Sequence, residues 1–100
     1  MDLETFKDCL KLDHPPEEFP PALQALWWVA NREWDKAHRL AQTQNNTDGA
    51  WVHAHLHRVE GDESNAGYWY RRAGKPHSHA PLGEERNEIA SALLIRANSH

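Results

Sequence analysis

The sequence has one cysteine, Cys9, in 100 residues, which excludes an internal disulfide and any zinc knuckle built on thiolates. Surplus charge is also scarce. Eleven Lys and Arg stand against 15 Asp and Glu, a formal net charge of −4 with neutral histidine. The basic field that a phosphate backbone demands is missing, so no nucleic-acid partner is expected. No apolar run approaches the roughly 18 residues of a membrane span. The opening segment has no basic stretch followed by an apolar one, so no targeting segment and a cytoplasmic setting are expected. Five scattered glycines form no phosphate-cradling loop. At this length one domain is expected over 1–100.

What the chain holds instead is aromatic bulk and imidazole. Only 39% of residues are apolar, but five are Trp, and each such ring buries roughly 150–250 Å². A small core is therefore within reach. Eight histidines, with an unperturbed pKa of about 6.5, also raise the prospect of a pH-responsive assembly.

Apolar spacing predicts helices throughout. Leu3, Phe6 and Leu10 mark a helix over 2–12 with Asp2 placed to cap it, and the prolines of 14–21 make a stiff connector. Pro21 can open the next helix, whose stripe runs Leu23, Leu26, Trp27, Ala30 and Trp34. After a corner near 31–35, a second stripe carries Ala37, Leu40 and Ala41. Residues 44–49 read as a loop, 49–60 as a helix stopped by Gly61, and 63–73 as a helix capped by Asp62 and closed by Gly74 and Pro76. A polar loop precedes a last helix over 82–97. Glu84 and Glu85 there favour the positive end of its macrodipole, and Ile89, Ala92, Leu93 and the stem of Arg96 form its apolar side. The expected core is Leu23, Trp27, Ala30, Ala37, Leu40, Val52, Leu56, Val59, Ala66, Tyr70 and Leu93.

Laid on itself at an offset of 29, the sequence matches Leu23 to Val52, Trp27 to Leu56, Ala30 to Val59, Ala37 to Ala66 and Leu40 to Trp69. Size class repeats rather than identity, which is how an array of helical hairpins reads. The stretch ArgValGluGlyAspGluSerAsnAlaGlyTyrTrpTyrArgArgAlaGly, 58–74, resembles the second half of a tetratricopeptide or Sel1-like repeat: Gly61 stands at the corner, Ala66 opens the second helix and an aromatic precedes Ala73. The resemblance covers 22–75. Its period is shorter than the family's usual one, and Arg32 occupies the place of the first corner glycine. It implies paired antiparallel helices used as a protein or peptide binding scaffold. HisAlaHisLeuHisArgValGluGlyAsp followed by TyrTrpTyrArgArg also resembles an uncharacterised group of small bacterial and fungal proteins.

The segment 51–59, TrpValHisAlaHisLeuHisArgVal, reads two ways. As a strand it would align His53, His55 and His57 on one face. As a helix, which the repeat favours, His53 and His57 share a face that Glu60 extends, and His55 lies nearer the opposite side with Trp51 and Arg58. Two imidazoles and a carboxylate suit zinc or a related divalent ion with a position left for water. The commoner role of such a pair is to hydrogen-bond a Tyr hydroxyl or carboxylate inside the hairpin. His77 and His79 in their loop, His14 before two prolines and His38 on the second helix read as solvent-facing. Nucleophiles are few: Ser64, Ser78 and Cys9 sit in no strand-turn-helix elbow.

The expected fold class is all-α: a leading helix, two tetratricopeptide-like antiparallel hairpins, and a C-terminal helix that caps the array or serves as the arm of a homodimer. The leading functional expectation is a protein or peptide interaction module with a groove lined by Trp27, Trp51, His55 and Arg58, and with no cofactor. The alternative is a metal-binding protein or metal-dependent hydrolase using His53, His57 and Glu60.

Overall fold

The structure, a computed structural model, describes residues 3–97. Six helices follow one another: α1 (Leu3–Cys9), α2 (Pro21–Ala30), α3 (Trp34–Thr43), α4 (Thr47–Val59), α5 (Glu63–Ala73) and α6 (Leu82–Ala97), with no strand among the described residues. The all-α class is therefore the observed one, and 51–59 is helical. None of the helices among the described residues is long and apolar enough to cross a membrane.

Local chemistry sets the boundaries. Pro21 occupies the first turn of α2, where its missing N–H is not needed. The Asn46 side chain caps α4 by accepting from the Gly49 N–H at 2.9 Å, and Asp62 caps α5 by accepting from the Asn65 N–H at 3.1 Å. Capping at Asn46 starts α4 at Thr47, earlier than the apolar spacing alone suggests. Asp2, read as the cap of the first helix, lies outside the described residues. Helix α1 ends at Cys9, and Leu10, Lys11 and Leu12 continue as turns bonded back to Lys7, Asp8 and Cys9.

The two corners between paired helices are built alike. At the first, the Arg32 N–H bonds the Val29 carbonyl at 3.0 Å and the Glu33 N–H reaches back to Trp28 at 2.9 Å. Twenty-nine residues on, Gly61 bonds Arg58 at 3.0 Å and Asp62 reaches His57 at 2.8 Å. Both sets are the paired back-bonds that close a helix through a left-handed residue. Arg32 at φ 67° and Gly61 at φ 86° are those residues, so arginine adopts at the first corner the conformation that glycine adopts at the second.

Helix α2 packs on α3, α4 on α5, and α3 on α4, while α6 lies across α1, α2 and α4. Phe6, Phe19, Leu23, Leu26, Trp27, Val52, Leu56, Tyr70, Ile89 and Leu93 fill the interior. Two indoles fasten it. Trp27 donates to the Cys9 carbonyl and Trp34 to the Leu56 carbonyl, each at 2.7 Å. Val59, expected inside, is 37% exposed because it stands at the last turn of α4. Ala30 and Leu40 are half-buried.

Candidate functional site

Helix α4 is buried from Gly49 to His57, so each of its polar side chains either finds a partner inside the molecule or is left unpaired at a cost. At 100° per residue they leave in two directions. His55 goes toward α6, and His53 and His57 go toward α3 and α5.

On the α6 side the partner is Glu85, 1% exposed. His55 Nδ1–H donates to its Oε1 at 2.7 Å and Arg58 Nη1–H donates to the same oxygen at 2.9 Å. The Tyr70 hydroxyl donates to Oε2, and Arg58 Nη2–H donates to the Ala80 carbonyl at 2.8 Å. Burial works to raise the Glu85 pKa, but the hydrogen bonds from His55, Tyr70 and Arg58 outweigh it and hold the carboxyl below its ordinary value. The Tyr70 hydroxyl is pushed upward by burial and by the same carboxylate. This carboxylate is fully coordinated by the protein and pins α6 to α4 and α5.

On the other side, three imidazoles gather. His38 stacks on Trp34, with ring centroids 4.7 Å apart. Its ring lies 4.7 Å from that of His53 and 5.6 Å from that of His57. His53 and His57 are 5.8 Å apart, and His53 lies 4.0 Å from Trp69. His57 Nδ1 is 2.7 Å from Glu60 Oε1. His53 Nε2 is buried and makes no hydrogen bond among the described residues. Burial first, then the neighbouring His38, His57 and Arg72 charges, bring the His53 pKa down to about 4. The His38 pKa is lowered by burial and by His57. Both rings are therefore neutral at physiological pH, the form that accepts a proton or binds a metal ion.

Beside this cluster lies a cleft of about 250 Å³, walled by the end of α3, the α3–α4 loop, the first two turns of α4 and the last turns of α5. Its lining includes Gln44, Asn45, Thr47, His53, Trp69 and Arg72. Gly49 makes the tight approach at its back possible, since a Cβ there would collide with the Gln44 carbonyl. The Arg72 guanidinium lies 5.1 Å from the centre of the Trp69 ring.

The expected groove of Trp27, Trp51, His55 and Arg58 is not assembled as an open surface. Trp27, 2% exposed, points to α1; Trp51, 6% exposed, lies under Lys75; His55 and Arg58 are engaged by Glu85. Three parts of the chain close this face: α1 over Trp27, Lys75 over Trp51, and α6, which lies across α2 and α4, over His55 and Arg58. Of the expected metal set, His57 and Glu60 touch, and Asp62 joins them with one ligand atom from each residue within 4.8 Å of the others. His53 packs instead on Trp69. Two residues of this region give no sign in the sequence, where His38 reads as a surface position and Asp62 as a cap alone. Glu85 does give one, through its register with Ile89 and Leu93 on the buried stripe. His77 and His79 stack at 5.3 Å, and His77 Nε2 meets Glu63 at 2.6 Å.

Compared with known proteins, the chain matches no family model, no curated protein and no solved structure.

Proposed function

We propose that the chain is a small helical interaction module that holds an acidic peptide segment in the cleft between the α3–α4 loop and α5. The cleft composition carries this reading. Gln42 and Asn45 line it beside Gln44 and Asn46, whose carboxamides bond the Ala22 N–H, each other and the Gly49 N–H. A carboxamide both donates and accepts, so the first two match the alternating N–H and C=O of an extended backbone. Trp69 gives a flat apolar wall and Arg72 a cation beside it. The amino-terminal end of α4 opens onto the same cleft, adding the positive pole of its dipole. Asp48 in that first turn is engaged by Arg96 and lines a different cavity.

At about 250 Å³ the cleft is smaller than the roughly 300–1,000 Å³ usual for small-molecule sites. It suits one or two side chains of a segment laid across it. The resemblance to tetratricopeptide-type hairpins points to the same class of partner, although the face first expected to bind is covered by the protein's own α1, Lys75 and α6.

The test is fluorescence anisotropy with short labelled peptides that are acidic, neutral or basic. Acidic peptides should bind, and Arg72→Ala should weaken them about tenfold, the loss of one charge-assisted hydrogen bond. Equal affinity across the three charge classes, or an Arg72→Ala variant that binds unchanged, would remove the basis for this assignment.

A further inference from the structure

The corner between α4 and α5 carries chemistry that the peptide cleft does not use and that the fold uses only in part, through the Asp62 cap on α5. In HisArgValGluGlyAsp, 57–62, the turn at Gly61, φ 86°, brings Asp62 back over the end of α4. The bond from the Asp62 N–H to the His57 carbonyl, 2.8 Å, fixes that return. One imidazole and two carboxylates from six consecutive residues then offer ligand atoms within 4.8 Å of one another. His57 is held in place: its side chain is 7% exposed, it lies edge-on to Trp34 at 6.0 Å, and its Nδ1 is in contact with Glu60. Glu60 and Asp62 are exposed, so an ion has a route in from solvent.

We propose that His57, Glu60 and Asp62 form a site for a divalent transition metal ion of the zinc class, with His38 as the nearest further imidazole. An ion held at about 2.0–2.2 Å from nitrogen and oxygen takes the place of the proton between His57 Nδ1 and Glu60 Oε1. Those atoms are 2.7 Å apart, so they need separate by only a fraction of an ångström to admit it. Asp62 uses Oδ1 to cap α5, which leaves Oδ2 for the metal. The carbonyl end of α4 is the negative pole of its dipole and adds to the attraction. One imidazole and two carboxylates, with no thiolate, favour zinc, cobalt or nickel over calcium or magnesium. Three protein ligands leave a position for water, the arrangement of an open rather than a closed site.

Cobalt is the probe, because bound Co²⁺ absorbs in the visible range. Untagged full-length chain, stripped with a chelator, is titrated with Co²⁺ and then with Zn²⁺. One Co²⁺ per chain that zinc displaces is the expected result. Glu60→Gln combined with Asp62→Asn should weaken it at least about a hundredfold, since removing even an outer-shell partner costs 10–100-fold. Asparagine keeps the cap on α5, and an unchanged circular dichroism spectrum confirms that the fold is retained. His77→Ala with His79→Ala should leave the affinity unaltered. The site is wrong if the wild-type chain retains no cobalt, if the corner variant binds as tightly as wild type, or if binding is lost with His77 and His79 instead. None of these residues lines the peptide cleft, so the two assignments fail separately.

Discussion

Replacing His53 with leucine should flatten the acid side of the stability curve. The ring is 4% exposed, wedged between Trp69 at 4.0 Å and His38 at 4.7 Å. Its pKa in the folded chain is about 4 against an ordinary 6.5. Above pH 6.5 both folded and unfolded chains carry it neutral, and its full contribution is present. Below that, the unfolded chain takes up a proton that the folded chain refuses, so stability falls as pH falls toward 4. The slope approaches ~1.4 kcal/mol per pH unit, which accumulates to about 2 kcal/mol by pH 5 and about 3 kcal/mol by pH 4. Against the roughly 5–15 kcal/mol of a typical domain, that is a large share. Urea unfolding followed by circular dichroism, in chelator and at a series of pH values from neutral to acid, measures it. His53→Leu cannot titrate, so its curve should lie shallower than the wild type by about 2 kcal/mol between neutrality and pH 5. Two parallel curves would refute the reasoning, because they would mean that this ring protonates as easily folded as unfolded. The lowered pKa of His38 acts in the same direction, and His38→Leu should remove a further part of the slope.

Arg32 holds φ 67° at a corner where its counterpart is glycine. A left-handed conformation costs an L-residue roughly 1–2 kcal/mol, and glycine returns about 0.5–1 kcal/mol of that through the entropy of its unfolded chain. Arg32→Gly should therefore gain about 0.5–1 kcal/mol and raise Tm by a few degrees in calorimetry; a lowered Tm would show that the arginine side chain outweighs its backbone strain. Glu85→Ala strands Arg58, His55 and Tyr70 together and should cost about 3–5 kcal/mol in denaturant unfolding. Pairing it with Arg58→Met should restore part of the loss, and no recovery would mean that the lost packing of Glu85, rather than the stranded charge, sets the cost.

The helices were legible because their punctuation is chemical and local. Pro21, Asp62, Gly61 and Gly74 act within one turn of where they stand, and α6 was bounded by the same reasoning at 82–97. The 29-residue offset pointed to matching corners through side-chain size, and the shared back-bonds follow from the same register. Partners across the fold were harder to see. Glu85 looked like a charge at a helix start because its burial depends on where α6 comes to rest, 30 residues from His55. The groove of Trp27, Trp51, His55 and Arg58 failed as an open surface for the same reason: spacing on α2 and α4 defines a face, and only the packing of α1, Lys75 and α6 decides whether that face is covered. His38 looked solvent-facing because a single imidazole on a polar helix gives no sign of what its neighbours bring. The pairing of His57 with Glu60 was readable, since three positions on a helix are adjacent whatever the rest of the chain does.

The twin corners bend the chain with the same two backbone bonds, yet they are dressed differently. Where the later bend has His57, Glu60 and Asp62, the earlier one has Trp28, Asn31 and Glu33. The molecule thus contains its own unreactive replica, in which the scaffold of the ion site is present without its imidazole. Moving histidine and glutamate into positions 28 and 31 would ask whether geometry alone is enough to make a ligand set.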